Sequence, residues 1–327
     1  MKLYLALILF VIGLAMVIYS AEKMVVAIVR TSRGFGISAF LISVIFIGFD
    51  PENLAVGAAG SYEGVSGIAL GAVIGAAMVA IALAFGITAL FVPMKFEKVP
   101  RQILMIPVLA ILLLGILVSD FVLSTFDGIL LLAVYVLTIL WLIRLNRKGF
   151  DVQAGGEIAE SLEKSKQGSK WKSLGRFILS LAAIIIGSEM IVRGSETLIA
   201  RSGLSDTFFG MTILAFLVSI EELARELPAA IKGRPDISYG NVSGSILAFF
   251  LFNAGIIALI NPVQVEKEVL YFYLPVCFLS IWESSIRNRH QFHTSNVFLD
   301  YKRKSSTYIP GTGHSNMDRI ILLFTPF

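Results

Sequence analysis

Along the chain, long apolar runs alternate with short polar or charged turns. A membrane with a hydrocarbon core of ~30 Å needs about 20 apolar residues per helical crossing. Runs approaching that length occupy residues 3–29, 37–59, 68–92, 103–118 and 129–143, then 177–200, 208–231 and 240–260, with a partial span from about 269. Each predicts a membrane-spanning helix. Between the two groups lies a polar stretch, 146–172, with GGEIAESLEKSKQGSKWK at its heart, which predicts a linker or surface helix. The organisation expected from this pattern is a first transmembrane repeat over 1–145, a linker over 146–175, a second repeat over 176–281, and an atypical polar tail over 282–327.

The two groups resemble one another. Residues 36–93 and 210–262 both read as an apolar run, an acidic knot, a small-residue turn and a second apolar run. Ser20-Ala21-Glu22 pairs with Gly194-Ser195-Glu196, Phe96-Glu97-Lys98 with Val265-Glu266-Lys267, and Ile106-Pro107-Val108 with Leu274-Pro275-Val276. Five spans is an odd number, so a second copy that starts after the fifth span enters the membrane from the opposite side. The fold class expected is therefore an all-α polytopic membrane protein of two inverted repeats of five transmembrane helices, the second incomplete. After Trp282 the apolar character collapses, which reads as a truncation or reading-frame disruption. His290, His293 and His314 all lie in this tail and read as incidental rather than as a metal site.

Charge sets the orientation. Arg30 and Arg33, then Lys95, Lys98 and Arg101, then Arg144, Arg147 and Lys148 follow odd-numbered spans, while the turns at 61–64 and 119–128 are poor in Lys and Arg. Positive residues stay on the cytoplasmic side, so the expectation is a multi-pass protein of the cell membrane with its N-terminus outside and the linker in the cytoplasm. The first apolar run lacks a basic leader and a clear cleavage site, and it has a counterpart later in the chain. It reads as a retained helix rather than a signal peptide. Composition agrees with a membrane protein: 56% of residues are hydrophobic and 15% charged, against about 25% charged in soluble domains, and the mean hydropathy is +0.82. The single cysteine, Cys277, excludes an internal disulfide. The net charge of +4 resides in loops and calls for no nucleic-acid partner.

Carboxylates inside apolar helices are costly and mark ion or proton pathways. The first knot is Gly48-Phe49-Asp50-Pro51-Glu52-Asn53. Its proline removes a backbone donor and disfavours helix just before it, and carbonyls freed in mid-membrane need a partner, which a cation can be. Asp50 and Asn53 share a helical face if the turn continues, with Glu52 pointing elsewhere. The second knot, Leu217-Val218-Ser219-Ile220-Glu221-Glu222, sets Ser219 and Glu222 at the same spacing. Oxygen-only ligands suit hard cations such as Ca²⁺, Mg²⁺ or Na⁺. Asp50, Asn53, Ser219 and Glu222 are thus the candidate metal ligands, with Glu52, Glu221, Ser245, Asn241 and Arg225 as possible additions.

The chain from residue 1 to about 280 resembles the calcium/cation antiporter superfamily, whose sodium/calcium exchangers carry G-T-S-L-P-E-L followed by G-N-x-x-G-S-N. The resemblance rests on Gly71-Ala72-Val73-Ile74-Gly75, on Gly240-Asn241-Val242-Ser243-Gly244-Ser245, and on Gly233-Arg234-Pro235-Asp236-Ile237. It implies ten helices in two inverted sets, and calcium efflux driven by sodium or proton entry. The family's motif glutamate lies eighteen positions before the glycine of G-N. That slot holds Glu222 in the second copy but Asn53 in the first, while the motif serine slots hold Ser219 and Asp50. Further family ligand slots hold Ala76 and Ala80 in the first copy, and Ser245 and Phe249 in the second.

Several residues keep two readings. Arg225 can pair with Glu221 or Glu222 and act as a tethered cation, or pair with Glu226 and leave the site open. Asn253 can replace lost side-chain oxygens, or satisfy backbone at a helix contact, the reading preferred from sequence. Glu22 and Glu196 read as architecture, with Glu189, Arg193 and Glu196 able to neutralise one another. Rows such as Gly67, Gly71 and Gly75 mean close helix packing. The function expected is secondary cation antiport, calcium for sodium or protons, by alternating access at a midplane carboxylate site. The alternative is a non-transporting membrane protein, a degenerate paralogue or a fragment, whose acids are locked by Arg225. No enzyme chemistry is expected, since the spans hold no nucleophile–base pair, phosphate loop or zinc spacing. No cofactor is expected either, only inorganic cations and the lipid bilayer as partners, and the oligomeric state is left open.

Overall fold

A computed structural model describes residues 1–35, 48–86, 101–147, 170–220 and 242–283. Glu221, Glu222, Arg225, Asn241, most of the linker and the histidine-bearing tail lie outside the described residues. Among the described residues, nine helical segments follow in chain order: α1 (Leu3–Gly34), α2 (Pro51–Tyr62), α3 (from Ser66–Leu70 through Ala80–Phe85), α4 (Arg101–Leu117) and α5 (Thr125–Arg147). Then come α6 (Lys170–Ser202), α7 (Asp206–Val218), α8 (Val242–Ile260) and α9 (Val269–Glu283). The α6 helix begins at Lys170, inside the stretch expected as linker, because its polar first turns continue an apolar helix beyond the hydrocarbon.

Among the described residues, α1, α6, α8 and Thr125–Leu145 of α5 are long and apolar enough to cross a membrane. Large apolar side chains stay outside the bundle along α1 and α6, Leu7, Ile8, Val11 and Ile12 on one and Ile178, Leu179, Ile185 and Ile186 on the other. In a polytopic protein such a surface is the one that meets lipid. The 37–59 run does not form one continuous helix. Gly48 adopts a left-handed φ of 65° and α2 starts afresh at Pro51, because proline tolerates the first helical position but not the interior.

Close approach of helices carries the packing. The α1 and α6 helices run antiparallel and cross where a side chain on Gly13 would press on the Gly187 carbonyl, with Gly194 lying on Ala6 and Phe10. The α3 and α7 helices start side by side: Asp206 accepts from the Gly67 amide at 3.1 Å, and any side chain on Gly71 would overlap the Gly210 backbone. Both widen here into π-helical turns, Gly71–Gly75 and Phe209–Leu214, which pack on one another. The α5 and α8 helices meet at Gly128 and Gly255.

The turns at one end of the bundle interlock. The two-residue strands β1 (Val122–Leu123) and β2 (Val263–Gln264) pair antiparallel, tying the α4–α5 turn to the α8–α9 turn. Ser61, near the end of α2, has its hydroxyl 2.8 Å from the Ile257 carbonyl and 3.0 Å from that of Asn261, and Asn261 Nδ2 donates back to the Ser61 carbonyl at 3.2 Å. The first turn of α3 touches both α7 and β2. The α2 and α8 helices therefore end where α3, α5 and α7 begin. This common end carries the turns that are poor in Lys and Arg.

The Gly71–Gly210 contact leaves no room for a side chain. Gly71→Leu is expected to lower stability by about 1–3 kcal/mol, the cost of overpacking a well-filled interface, read as a fall in melting temperature in detergent. Gly115→Leu, where nothing lies within contact distance, is expected to leave it unchanged.

Candidate functional site

The site forms where α2 starts and α7 ends. The chain enters α2 through Gly48, whose backbone lies so close to that of Gly244 that no side chain fits between them. It then passes Asp50 in an extended conformation (φ −131°, ψ 91°) and turns into helix at Pro51. A helix N-terminus leaves its first amides unpartnered, and Asp50 answers this as the cap residue. Its Oδ1 accepts from the Asn53 backbone amide at 3.0 Å, and its Oδ2 accepts from Asn53 Nδ2 at 2.9 Å. Asp50 and Asn53 therefore meet by capping, not by sharing a helical face. The sequence expectation of a continuing turn is corrected here, since Pro51 forces Asp50 out of helical geometry.

The α7 helix ends at Val218, with Ser219 as its first non-helical residue (φ −95°, ψ 10°). Its hydroxyl accepts from Asn53 Nδ2 at 3.2 Å. One carboxamide thus bridges the two halves of the chain, from the capping carboxylate of α2 to the end of α7. Asp50, Asn53 and Ser219 are all buried, at 4%, 1% and 1% exposure, so water cannot substitute for these bonds. The electrostatics are complementary. The positive end of the α2 dipole favours the Asp50 carboxylate, and the carbonyl end of α7 favours a cation beside Ser219.

The hydrogen bonds orient the carboxamide. An ionised carboxylate only accepts, so the Asn53 atom facing Asp50 is the nitrogen, and Oδ1 is left over. That oxygen is buried and has no hydrogen-bond partner. Buried polar atoms in this state are uncommon and call for an explanation such as an ion. Of the remaining sequence candidates, Glu52 is buried in the first turn of α2, and Ser245 is buried directly after Gly244, opposite the break at Gly48. Asp50, Asn53 and Ser219 are brought into one hydrogen-bonded chain. Glu221, Glu222, Arg225 and Asn241 belong to the undescribed stretch.

Two expectations outside the central cluster change. Asn253 does not satisfy backbone: it is fully buried, and neither its Nδ2 nor its Oδ1 makes a hydrogen bond. Glu189 and Arg193 form a 2.6 Å ion pair on the outer face of α6, whereas Glu196 takes no part in it, and Glu22 and Glu196 are exposed, away from the buried cluster. Sequence spacing missed the α2–α8 contact, in which Gly57 packs on Ile257 and Ser61 reaches Asn261. Its only trace was a set of small and polar residues at four-residue intervals, Asn53, Gly57 and Ser61.

The sequence model of a family described as "Sodium/calcium exchanger protein" matches residues 5–144 and 172–284. The chain is 29% identical over 269 residues to the "Inner membrane protein YrbG" of Escherichia coli, covering 80% of this chain and 82% of that protein. It is 25% identical over 305 residues to the "Sodium/calcium exchanger MaX1" of Methanosarcina acetivorans, covering 81% and 86% respectively. A solved structure of the sodium-calcium exchanger NCX_Mj, soaked with Na⁺ and Sr²⁺, superposes with a TM-score of 0.55 at 23% identity, over 94% of this chain and 99% of that one. The fold is thus that of NCX_Mj.

Removing the cap tests the local geometry. Asp50→Ala deprives the Asn53 backbone amide of its acceptor and leaves the carboxamide only Ser219, and is expected to destabilise the protein by about 1–3 kcal/mol, as for any buried donor left unpaired. Asp50→Asn keeps one capping oxygen and is expected to lose less. Melting temperatures of the two variants in detergent check the order.

Proposed function

The chain belongs to the sodium/calcium exchanger protein family, and from that premise we propose that it exchanges calcium for sodium or protons by alternating access, at a midplane site of Asp50, Asn53, Ser219 and Glu222. As a member of that family it is a multi-pass membrane transporter of inorganic cations rather than an enzyme. The observation that carries the finer reading is the Asn53 bridge. It links the start of one broken span to the end of another, so a cation entering the gap touches both halves of the chain at once.

The inverted-repeat reading has a physical basis in helix directions. Equivalent segments run oppositely: α1 against α6, α2 ending where α7 begins, and α3 beginning where α8 ends. Two such halves rocking about a shared centre give alternating access without unfolding either one. The repeats span 1–145 and 176–281, joined by the cytoplasmic linker, with the N-terminus outside, so the interlocked turns face the exterior. In this reading Glu222 supplies the second carboxylate, and Glu52, Glu221, Ser245 and Asn241 supply further oxygens.

Flux in reconstituted vesicles tests the reading. Full-length protein is expected to accumulate ⁴⁵Ca²⁺ against an outward sodium or proton gradient, and Glu222→Gln and Asp50→Asn are each expected to reduce that flux at least about tenfold, the order of one lost charge-assisted contact of 1.4 kcal/mol or more. Gradient-independent uptake equal to empty vesicles, or full flux in both variants, would defeat it in favour of the non-transporting alternative. Orientation is checked with a cysteine placed at Tyr62, exposed in the α2–α3 turn. A membrane-impermeant maleimide is expected to label Tyr62→Cys from outside, while native Cys277, fully buried, stays unlabelled.

A further inference from the structure

The α2 and α8 helices run parallel and meet along one seam. On α2 the seam positions are Asn53, Gly57 and Ser61, each four residues from the next and so on one face. On α8 they are Asn253, Ile257 and Asn261, at the same intervals. The seam is joined at two levels: Gly57 lies against the Ile257 side chain, and Ser61 hydrogen-bonds to Ile257 and Asn261. Phe49, just before α2, packs on Phe252, just before Asn253, with ring centroids 6.4 Å apart. The level bracketed by these contacts is that of Asn53 on one helix and Asn253 on the other.

Both carboxamides carry an oxygen without a hydrogen-bond partner at this level. Asn53 Oδ1 is freed because its nitrogen is committed to Asp50 and Ser219, and Asn253 makes no hydrogen bond through either atom although it is 0% exposed. An unpaired buried amide is destabilising, a penalty that a leucine or valine in this apolar helix would not incur. Asn253 also sits at the end of a π-helical turn, Ala248–Asn253, a distortion frequent at functional sites.

We propose that Asn53 and Asn253 form a subsite for a monovalent hard cation, sodium by size and availability, beside the Asp50 carboxylate. The two amide oxygens ligate the ion, and Asp50 compensates its charge through Asn53. Neutral amide oxygens as the direct ligands suit a singly charged ion, whereas calcium sites gather charged ligands. The inference rests on the antiport reading, in which this subsite holds the coupling ion.

The test is thermal unfolding of the purified full-length protein in sodium chloride against choline chloride at constant ionic strength. Wild type is expected to gain stability with sodium, as any ligand that binds only the folded state imposes. Asn253→Leu is expected to raise the half-saturating sodium concentration at least tenfold without lowering the melting temperature in choline, since it removes an unpaired amide. A merely structural asparagine would do the reverse. Asn253→Asp, which keeps an oxygen and adds charge, is expected to retain or tighten the sodium response, and it supplies the readout if Asn253→Leu fails to fold. A sodium response unaltered in the variants, or absent from wild type, overturns the subsite. Calcium flux in vesicles separates the two readings: flux with an unaltered sodium response sinks the subsite alone, and a sodium response lost with Asn253→Leu but no flux in wild type sinks antiport alone.

Discussion

In hydrocarbon no water is at hand to meet backbone groups released where a helix breaks, so each must find a partner within the protein. The apolar run 37–59 is non-helical at Gly48–Asp50, and the neighbouring residues are arranged around meeting that demand. Asp50 supplies the acceptor that the first amides of α2 lack, and Pro51 removes one amide that would otherwise need one. The carboxylate is therefore part of the scaffold and of the site at once. This is why an acid can persist at 4% exposure in a bundle whose other buried side chains are mostly apolar.

From that cap the constraint spreads outward through close contacts. Gly48 on the Gly244 backbone fixes the approach of the break to α8, and Gly71 on Gly210 fixes α3 to α7. Small residues allow such approach where no hydrophobic force draws helices together in lipid. At these two points the helices touch through backbone, so a shift of one is felt at once by its neighbour. The π-helical turns in α3, α7 and α8 lie at or next to these contacts. Each adds a residue to a turn and leaves a carbonyl off the regular ladder, giving the packed centre of the bundle its local freedom in an otherwise continuous set of helices.

Much of the fold was legible because membrane helices announce themselves by length and hydropathy alone. The spans of α1, α5, α6 and α8 follow from apolar runs with charged ends. Within the candidate site, proximity of Asp50 to Asn53 was legible from spacing, but its mechanism was not. Spacing assumes a regular helix, and the capping geometry at Pro51 replaces it. The bond from Asn53 to Ser219 joins residues 166 positions apart, and only the parallel placement of knots in the two halves hinted at it. Asn253 was misjudged for a physical reason: an asparagine in an apolar helix usually finds a backbone partner, and whether it has one depends on neighbours that no linear pattern records.

The place of the carboxylate also bears on what the first half of the site can hold. In the antiporter pattern that this chain resembles, the acid stands where Asn53 is, inside the first helical turn. Here it stands at the cap, three positions earlier. A carboxylate offers about four lone-pair directions, and Asn53 occupies two of them, so Asp50 is anchored at the cap. The displaced amide is anchored in turn, nitrogen toward Asp50 and Ser219 and oxygen away from both. One full charge at the helix turn has become a dipole, with the charge itself drawn back against the α2 N-terminus, whose own dipole offsets part of it. Attraction for an ion scales with the product of the charges, so withdrawing a negative charge weakens the hold on a divalent cation twice as much as on a monovalent one. Within the antiport reading proposed above, the exchange of positions between acid and amide therefore lessens the pull of the α2 side on a divalent cation more than on a monovalent one.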